Sequence, residues 1–118
     1  MNKKAGIDQL SRDFTRCRKV LVALGDENRQ KLLLEMMKAG PSGVRVTDIT
    51  ETVKLSRPAV SHHLIILKEA GIVNIRHEGT ANYYYLEPDQ KSLHHLIDVL
   101  MRAERLYSET AREEAVNA

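Results

Sequence analysis

Arg57, Ser61, Ile65 and Lys68 recur at intervals of four, four and three residues, which sets them in one row along an α-helix. Pro58 and His62 lie beside that row. The row carries hydrogen-bond donors and one apolar member. A guanidinium offers two parallel N–H groups that match a guanine edge, a hydroxyl donates or accepts, and an exposed aliphatic side chain meets a thymine methyl. The other face of the same segment holds Val60, Leu64 and Leu67, with His63 at its edge, and is suited to packing on a core. An ordinary amphipathic surface helix has the same two faces, so the neighbouring elements decide between the readings.

Ser56 is a good N-cap, Pro58 falls in the first turn where its missing N–H costs nothing, and Gly71 supplies a stop. Upstream, Val44-Arg45-Val46 reads as a short strand, and Thr47 or Asp48 can cap a helix running to about Val53. The link Lys54-Leu55-Ser56 has the length found between the two helices of a helix-turn-helix. Downstream, the β-rich runs Ile72–Arg76 and Asn82–Leu86 flank His77-Glu78-Gly79-Thr80-Ala81, with Gly79 marking a turn. A helix-turn-helix over about 47–70 followed by a hairpin over about 72–86 is a winged helix, mainly α with a small β-hairpin. In that frame Arg57, Ser61 and His62 face base edges. Ser56, Lys68, Arg76, His77 and Thr80 supply donors to phosphates or a flanking minor groove.

Two further stripes stand outside this unit. Leu10, Phe14, Cys17, Leu21 and Leu24 follow a four-three spacing, and Leu93, Leu96, Leu100, Ala103 and Tyr107 repeat it near the other end. They predict terminal helices over about 8–24 and 89–111, each with an apolar seam that either buries against its own core or meets a second copy of the chain. A middle helix over about Asp26–Ala39, apolar at Leu32, Leu33, Met36 and Met37, supports the core. Cys17 sits among Arg16, Arg18 and Lys19, which favour a thiolate, but a lone cysteine on an apolar stripe behaves as a small hydrophobe. His94 and Asp98, at i and i+4, would furnish two ligands per subunit for a zinc site across a dimer; solvated pairs have the same spacing. His62 and His63 point about 100° apart and do not chelate together, and His63 is expected to be partly buried with a backbone partner.

Composition sets the bounds. A chain of 118 residues, 42% hydrophobic, makes a single domain with one core. It has no apolar run of membrane-spanning length, no signal-peptide pattern behind its basic start, and one cysteine, all of which fit a cytoplasmic protein. The ends, Met1–Gly6 and Arg112–Ala118, are expected to fray. The net charge of +2 does not by itself announce a nucleic-acid partner. Its distribution leans that way: Lys54, Arg57, Lys68 and Arg76 outnumber Glu69 and Glu78 in the helix-turn-helix and wing, whereas acids dominate after Asp98. An enzyme is not indicated, because Ser61 and His62 are helix neighbours that cannot form a nucleophile–base pair, and Gly40 and Gly43 lack the Lys-Ser or Lys-Thr of a phosphate loop. A protein-interaction module built on the same face is the rival reading; the donor-rich row favours DNA.

Taken in order, Ala23-Leu24-Gly25-Asp26-Glu27-Asn28-Arg29, Leu55–Leu64, Leu67-Lys68-Glu69-Ala70-Gly71-Ile72-Val73 and Glu78-Gly79 with Tyr83-Tyr84-Tyr85-Leu86 make a specific pattern. Over roughly Val20–Met101 the chain resembles the ArsR/SmtB family of bacterial winged-helix repressors. That resemblance implies a homodimer, joined through the terminal helices, that binds double-stranded operator DNA; many members release DNA when a metal or oxidant is sensed. Measured against the family's metal sites, the chain departs. Arg45 and Thr47 stand where a Cys-x-Cys-Asp site has its cysteines, and Pro88-Asp89-Gln90 with Met101 and Glu104 retains one carboxylate of the other site. Ile65 replaces a basic residue common in relatives and Arg57 a common glutamine, which shifts preference toward guanine. No cofactor and no metal are expected, no effector is indicated, and a response through Cys17 or through His94 and Asp98 is the alternative.

Overall fold

A computed structural model of the chain describes residues 2–117. Its elements in order are α1 (Lys3–Thr15), α2 (Arg18–Leu24), α3 (Glu27–Ala39), α4 (Val46–Val53), α5 (Arg57–Glu69), β1 (Val73–Glu78), β2 (Ala81–Leu86) and α6 (Lys91–Asn117). α2 to α5 surround a core of Val20, Ala23, Leu32, Met36, Ile49, Val60, Leu64 and Leu67, closed on one side by Ile72 and Val73 and on another by Leu96 and Val99 of α6. The face predicted to pack, Val60, Leu64 and Leu67, is fully buried.

Local chemistry explains the boundaries. Asp26 Oδ1 accepts from the Arg29 N–H at 3.0 Å and Ser56 Oγ from the Ala59 N–H at 3.2 Å, so α3 and α5 both start at side-chain caps. At the end of α5 Gly71 has φ 79°, and a Cβ there would lie 2.9 Å from Ser92 Oγ, so both backbone and space ask for glycine. β1 and β2 pair antiparallel from Val73 with Leu86 to Glu78 with Ala81. The connecting turn is therefore only Gly79-Thr80, with Gly79 at φ 61° in the first turn position, where a left-handed residue suits the strand twist.

Several sequence expectations shift. The anticipated helix over 8–24 is two helices, α1 beginning at Lys3, because the Cys17 N–H bonds back to Phe14 O at 2.9 Å and turns α2 into the core. α4 starts at Val46 with Arg45 at its N-cap and no side-chain cap, so neither Thr47 nor Asp48 caps it; Asp48 instead faces Arg45 at 3.6 Å. Val44 makes a single bridge to Tyr84 in place of a strand. Met37 is 64% exposed and leaves the core to Leu32 and Met36, since it falls on the far side of α3. The ends are helical from Lys3 and through Asn117, tied by a 2.8 Å ion pair between Lys3 and Glu113; Met1 and Ala118 lie outside the described residues.

Two polar contacts organise these helices. The buried guanidinium of Arg29 donates from Nε to Ala23 O and from Nη2 to Val22 O, both at 2.8 Å, and its Nη1 lies 3.1 Å from His63 Nδ1. Arginine only donates, so His63 Nδ1 is the acceptor and the imidazole proton sits on Nε2. His63 thus has a side-chain partner where a backbone one was expected. At the far end Arg102 of α6 donates from Nη2 to Asp13 Oδ2 at 2.8 Å and from Nε to Asp98 Oδ2 at 3.0 Å, joining α6 to α1. Lysine at position 29 has one nitrogen for three acceptors and strands a buried carbonyl. Arg29→Lys is expected to lower the unfolding free energy in urea by about 1–3 kcal/mol; an unchanged midpoint would remove Arg29 from this role.

The Arg102 guanidinium, helped by Gln9, holds the Asp13 carboxyl below its ordinary range. A carboxylate lowered in the folded state stabilises the fold above its unfolded pKa, about 3.9, and loses that contribution as pH falls through the lowered value. Asp13→Asn should therefore melt below the wild type at pH 7, with the gap closing under pH ~4. A gap that stays constant down to pH 3 would assign the loss to something other than the charge.

Candidate nucleic-acid interface

With Val60, Leu64 and Leu67 anchored, α5 turns Arg57, Pro58, His62, Ile65 and Lys68 to solvent and leaves Ser61 half-buried. Ile65 is 51% exposed on this polar face, an apolar side chain without a core to fill. Ser56 is exposed, its oxygen occupied as the cap and its O–H free to donate outward. The row read from spacing is thus assembled as one surface, with Ser61 its most enclosed member.

The wing differs from expectation. Arg76 is not a free donor at the tip: Nε donates to Glu78 Oε1 at 2.8 Å, Nη2 donates to Ser42 O at 2.9 Å, and the guanidinium lies over the Tyr83 ring, 5.1 Å from its centre. Strand pairing sets Arg76 opposite Tyr83, which pulls the long side chain across the sheet. His77 is exposed but pairs with Asn82 Oδ1, and Thr80 is exposed at the turn. Three residues missed in sequence join the surface. Arg45 and Thr47 at the start of α4 and Asn82 on β2 line one notch with Arg57 and Thr80. Residues that far apart share no spacing signal; the pairing of Val44 with Tyr84 brings them together.

The seam residues fall into three groups. Cys17, 1% exposed, and Leu96 are buried in the protomer's own core, which corrects their assignment to an interface. Leu10, Leu21, Leu93 and Ala103 are half-buried. Phe14, Leu100 and Tyr107, the last 76% exposed, face solvent together with Ile7, Ile97 and Met101, which the four-three pattern left out. Cys17 Sγ lies 3.5 Å from Asp13 O, and burial pushes its thiol up, opposite to the effect expected from the neighbouring basic residues. Those neighbours, Arg16, Arg18 and Lys19, are exposed. His94 is exposed and Asp98 is held by Arg102; among the described residues no group of three or more His, Cys, Asp or Glu is placed to hold a metal.

The model of the arsR family of bacterial regulatory proteins matches residues 26–74, from the cap of α3 through the helix-turn-helix into β1. An HTH-type transcriptional regulator of Methanocaldococcus jannaschii is 38% identical over 88 residues, 74% of this chain and 97% of that protein. The chain belongs to the ArsR family. It is a winged helix-turn-helix transcriptional regulator with a DNA-binding fold. This ArsR-family chain is also similar to the transcriptional repressor SdpR of Bacillus subtilis, 37% identical over 57% of this chain and 71% of the other. Its fold matches the homodimeric winged helix-turn-helix DNA-binding domain of a possible ArsR-family regulator from Mycobacterium bovis. The TM-score there is 0.56 at 24% identity, over 82% of this chain and 83% of the other. No helix among the described residues is long and apolar enough to cross a membrane.

Arg57 is the residue of this surface with the most base-discriminating chemistry. Arg57→Ala is expected to weaken binding to a preferred duplex by about 1–3 kcal/mol and to relax the base preference at one position of each half-site. Titration against a panel of single-base variants checks it, and an unaltered preference would take Arg57 out of the reading role.

Proposed function

We propose that the chain is a homodimeric repressor that sets two α5 helices in successive major grooves of a near-palindromic operator, about one helical turn apart. The separation of faces on α5 carries this reading: Val60, Leu64 and Leu67 are spent on the core, while Arg57, His62, Ile65 and Lys68 are exposed to solvent. Arg57, Ser61 and His62 read base edges, Ile65 meets a thymine methyl, and Ser56, Lys68 and Thr80 hold the backbone. Occupancy of a promoter then excludes polymerase. The similarity to a named repressor and to a homodimeric domain supports the regulatory sign and the assembly.

The dimer forms through the exposed apolar face of the terminal helices. α6 has no buried residue beyond Val99 and α1 buries only Asp13, so these helices stand out from the core and the molecule extends to 64 Å. Ile97, Leu100, Met101 and Tyr107 are 45%, 46%, 56% and 76% exposed along α6, a run of apolar side chains of the kind that marks an interaction surface. Neither of the family's metal sites is complete here, and Cys17 is buried, so DNA release in this protein follows another signal or the protein's own abundance.

Fluorescence anisotropy against the chain's own upstream DNA, with random duplex as competitor, tests the function; binding that random duplex abolishes would overturn it. Ile97→Glu with Leu100→Glu should convert the dimer to a monomer in sedimentation with an intact helical spectrum, because both positions are exposed in the protomer. DNA affinity should drop with it. A variant that stays dimeric would move the interface elsewhere.

A further inference from the structure

At the junction of α4, α5 and the wing lies a notch of about 220 Å³ whose polar lining is Arg45, Thr47, Arg57, Thr80 and Asn82. We propose that this notch seats one backbone phosphate of the bound duplex, with Arg45 as its principal cation; the proposal rests on the DNA-binding reading above.

The lining chemistry selects the ligand class. Two guanidinium groups and two hydroxyls present donors, and Asn82 keeps its amide N–H groups because its Oδ1 is taken by His77. No carboxylate lines the notch. A cation therefore finds no ligand there, whereas a tetrahedral oxyanion finds donors from three elements at once. Size narrows the choice further: at 220 Å³ the notch is below the roughly 300–1,000 Å³ range of small-molecule sites, yet has room for a single phosphate group.

Position argues for the phosphate of DNA over a free ion. Arg57 belongs both to the notch and to the outward row of α5, and Thr80 is the exposed tip of the wing. A strand running from the groove that holds α5 to the wing crosses the notch. Arg45 reaches it while its Nε lies 3.6 Å from Asp48 Oδ2, an exposed pair that yields readily to a stronger anion. The positions of the cysteines in the family's metal site thus carry Arg45 and Thr47, and a place suited to a soft cation becomes one suited to an anion.

The test is a salt titration of the full chain on specific and random duplex. Arg45→Ala should weaken both duplexes alike, leave base preference unchanged, and cut the slope of log K against log salt by about 0.9 per subunit. Arg45→Lys, which keeps the charge, should restore most of that slope. Wild-type slope and affinity in Arg45→Ala, with Arg57→Ala still weakened, would overturn the notch and spare the DNA reading. Absence of salt-dependent duplex binding by the wild type would overturn both. Inorganic phosphate at constant ionic strength supplies the remaining arm: it should compete with duplex on the wild type and not on Arg45→Ala, whereas phosphate that binds through Arg45 equally well to the free and the duplex-bound protein would make a free anion the occupant and the assignment to DNA would fail.

Discussion

The guanidinium of Arg29 is the contact on which the outward face of α5 depends. One planar group takes the carbonyls that end α2 and the imidazole that projects from α5. Apolar burial brings those helices together without direction, because the hydrophobic effect scales with area and tolerates sliding. A fork of N–H groups does not tolerate it. Losing one acceptor leaves a buried polar group unpaired, and that cost sets the rotation and height of α5 relative to α2 and α3. The outward row of α5 inherits its aim from the far side of the same helix.

A second constraint acts on the ends of the chain. α1 and α6 leave the core after Val99 and stay together through polar contacts, Arg102 with Asp13 and Lys3 with Glu113, the first of them half-sheltered. Exposed ion pairs contribute little, so the terminal pair draws most of its stability from apolar contact. Ile97, Leu100 and Tyr107 keep 45%, 46% and 76% of their surface exposed within the protomer. In the proposed dimer a second copy of the chain covers this face, and the same association would set the distance between two α5 helices.

At the start of α4 the charge character follows from which side chains stand there. Arg45 and Thr47 favour donor chemistry in a place where thiolates would favour a metal ion. Cys17, the one thiol, is enclosed in the core with its proton held by desolvation, and Asp98, the candidate ligand on α6, is paired with Arg102. Cys17 is thus engaged by packing and Asp98 by a salt bridge, while His94 stays exposed.

Most of the fold was legible in the chain itself. The cap at Ser56, the stop at Gly71, the turn at Gly79 and the apolar positions of α5 are local signals, decided by backbone geometry and helical period within a few residues. So was the outward row from Arg57 to Lys68, because a helix with one buried face has only one face left. What spacing could not supply was which of two apolar stripes would be covered. Cys17 and Leu96 look no different in sequence from Phe14 and Leu100, and only the break before α2 and the packing of α6 on the core send the first pair inward. Nor could it show Arg76 drawn back over Tyr83, or Arg45 and Asn82 meeting beside Arg57. Those outcomes depend on contacts between residues distant along the chain. Local propensity settles the elements; long-range packing settles which of their side chains remain free to act.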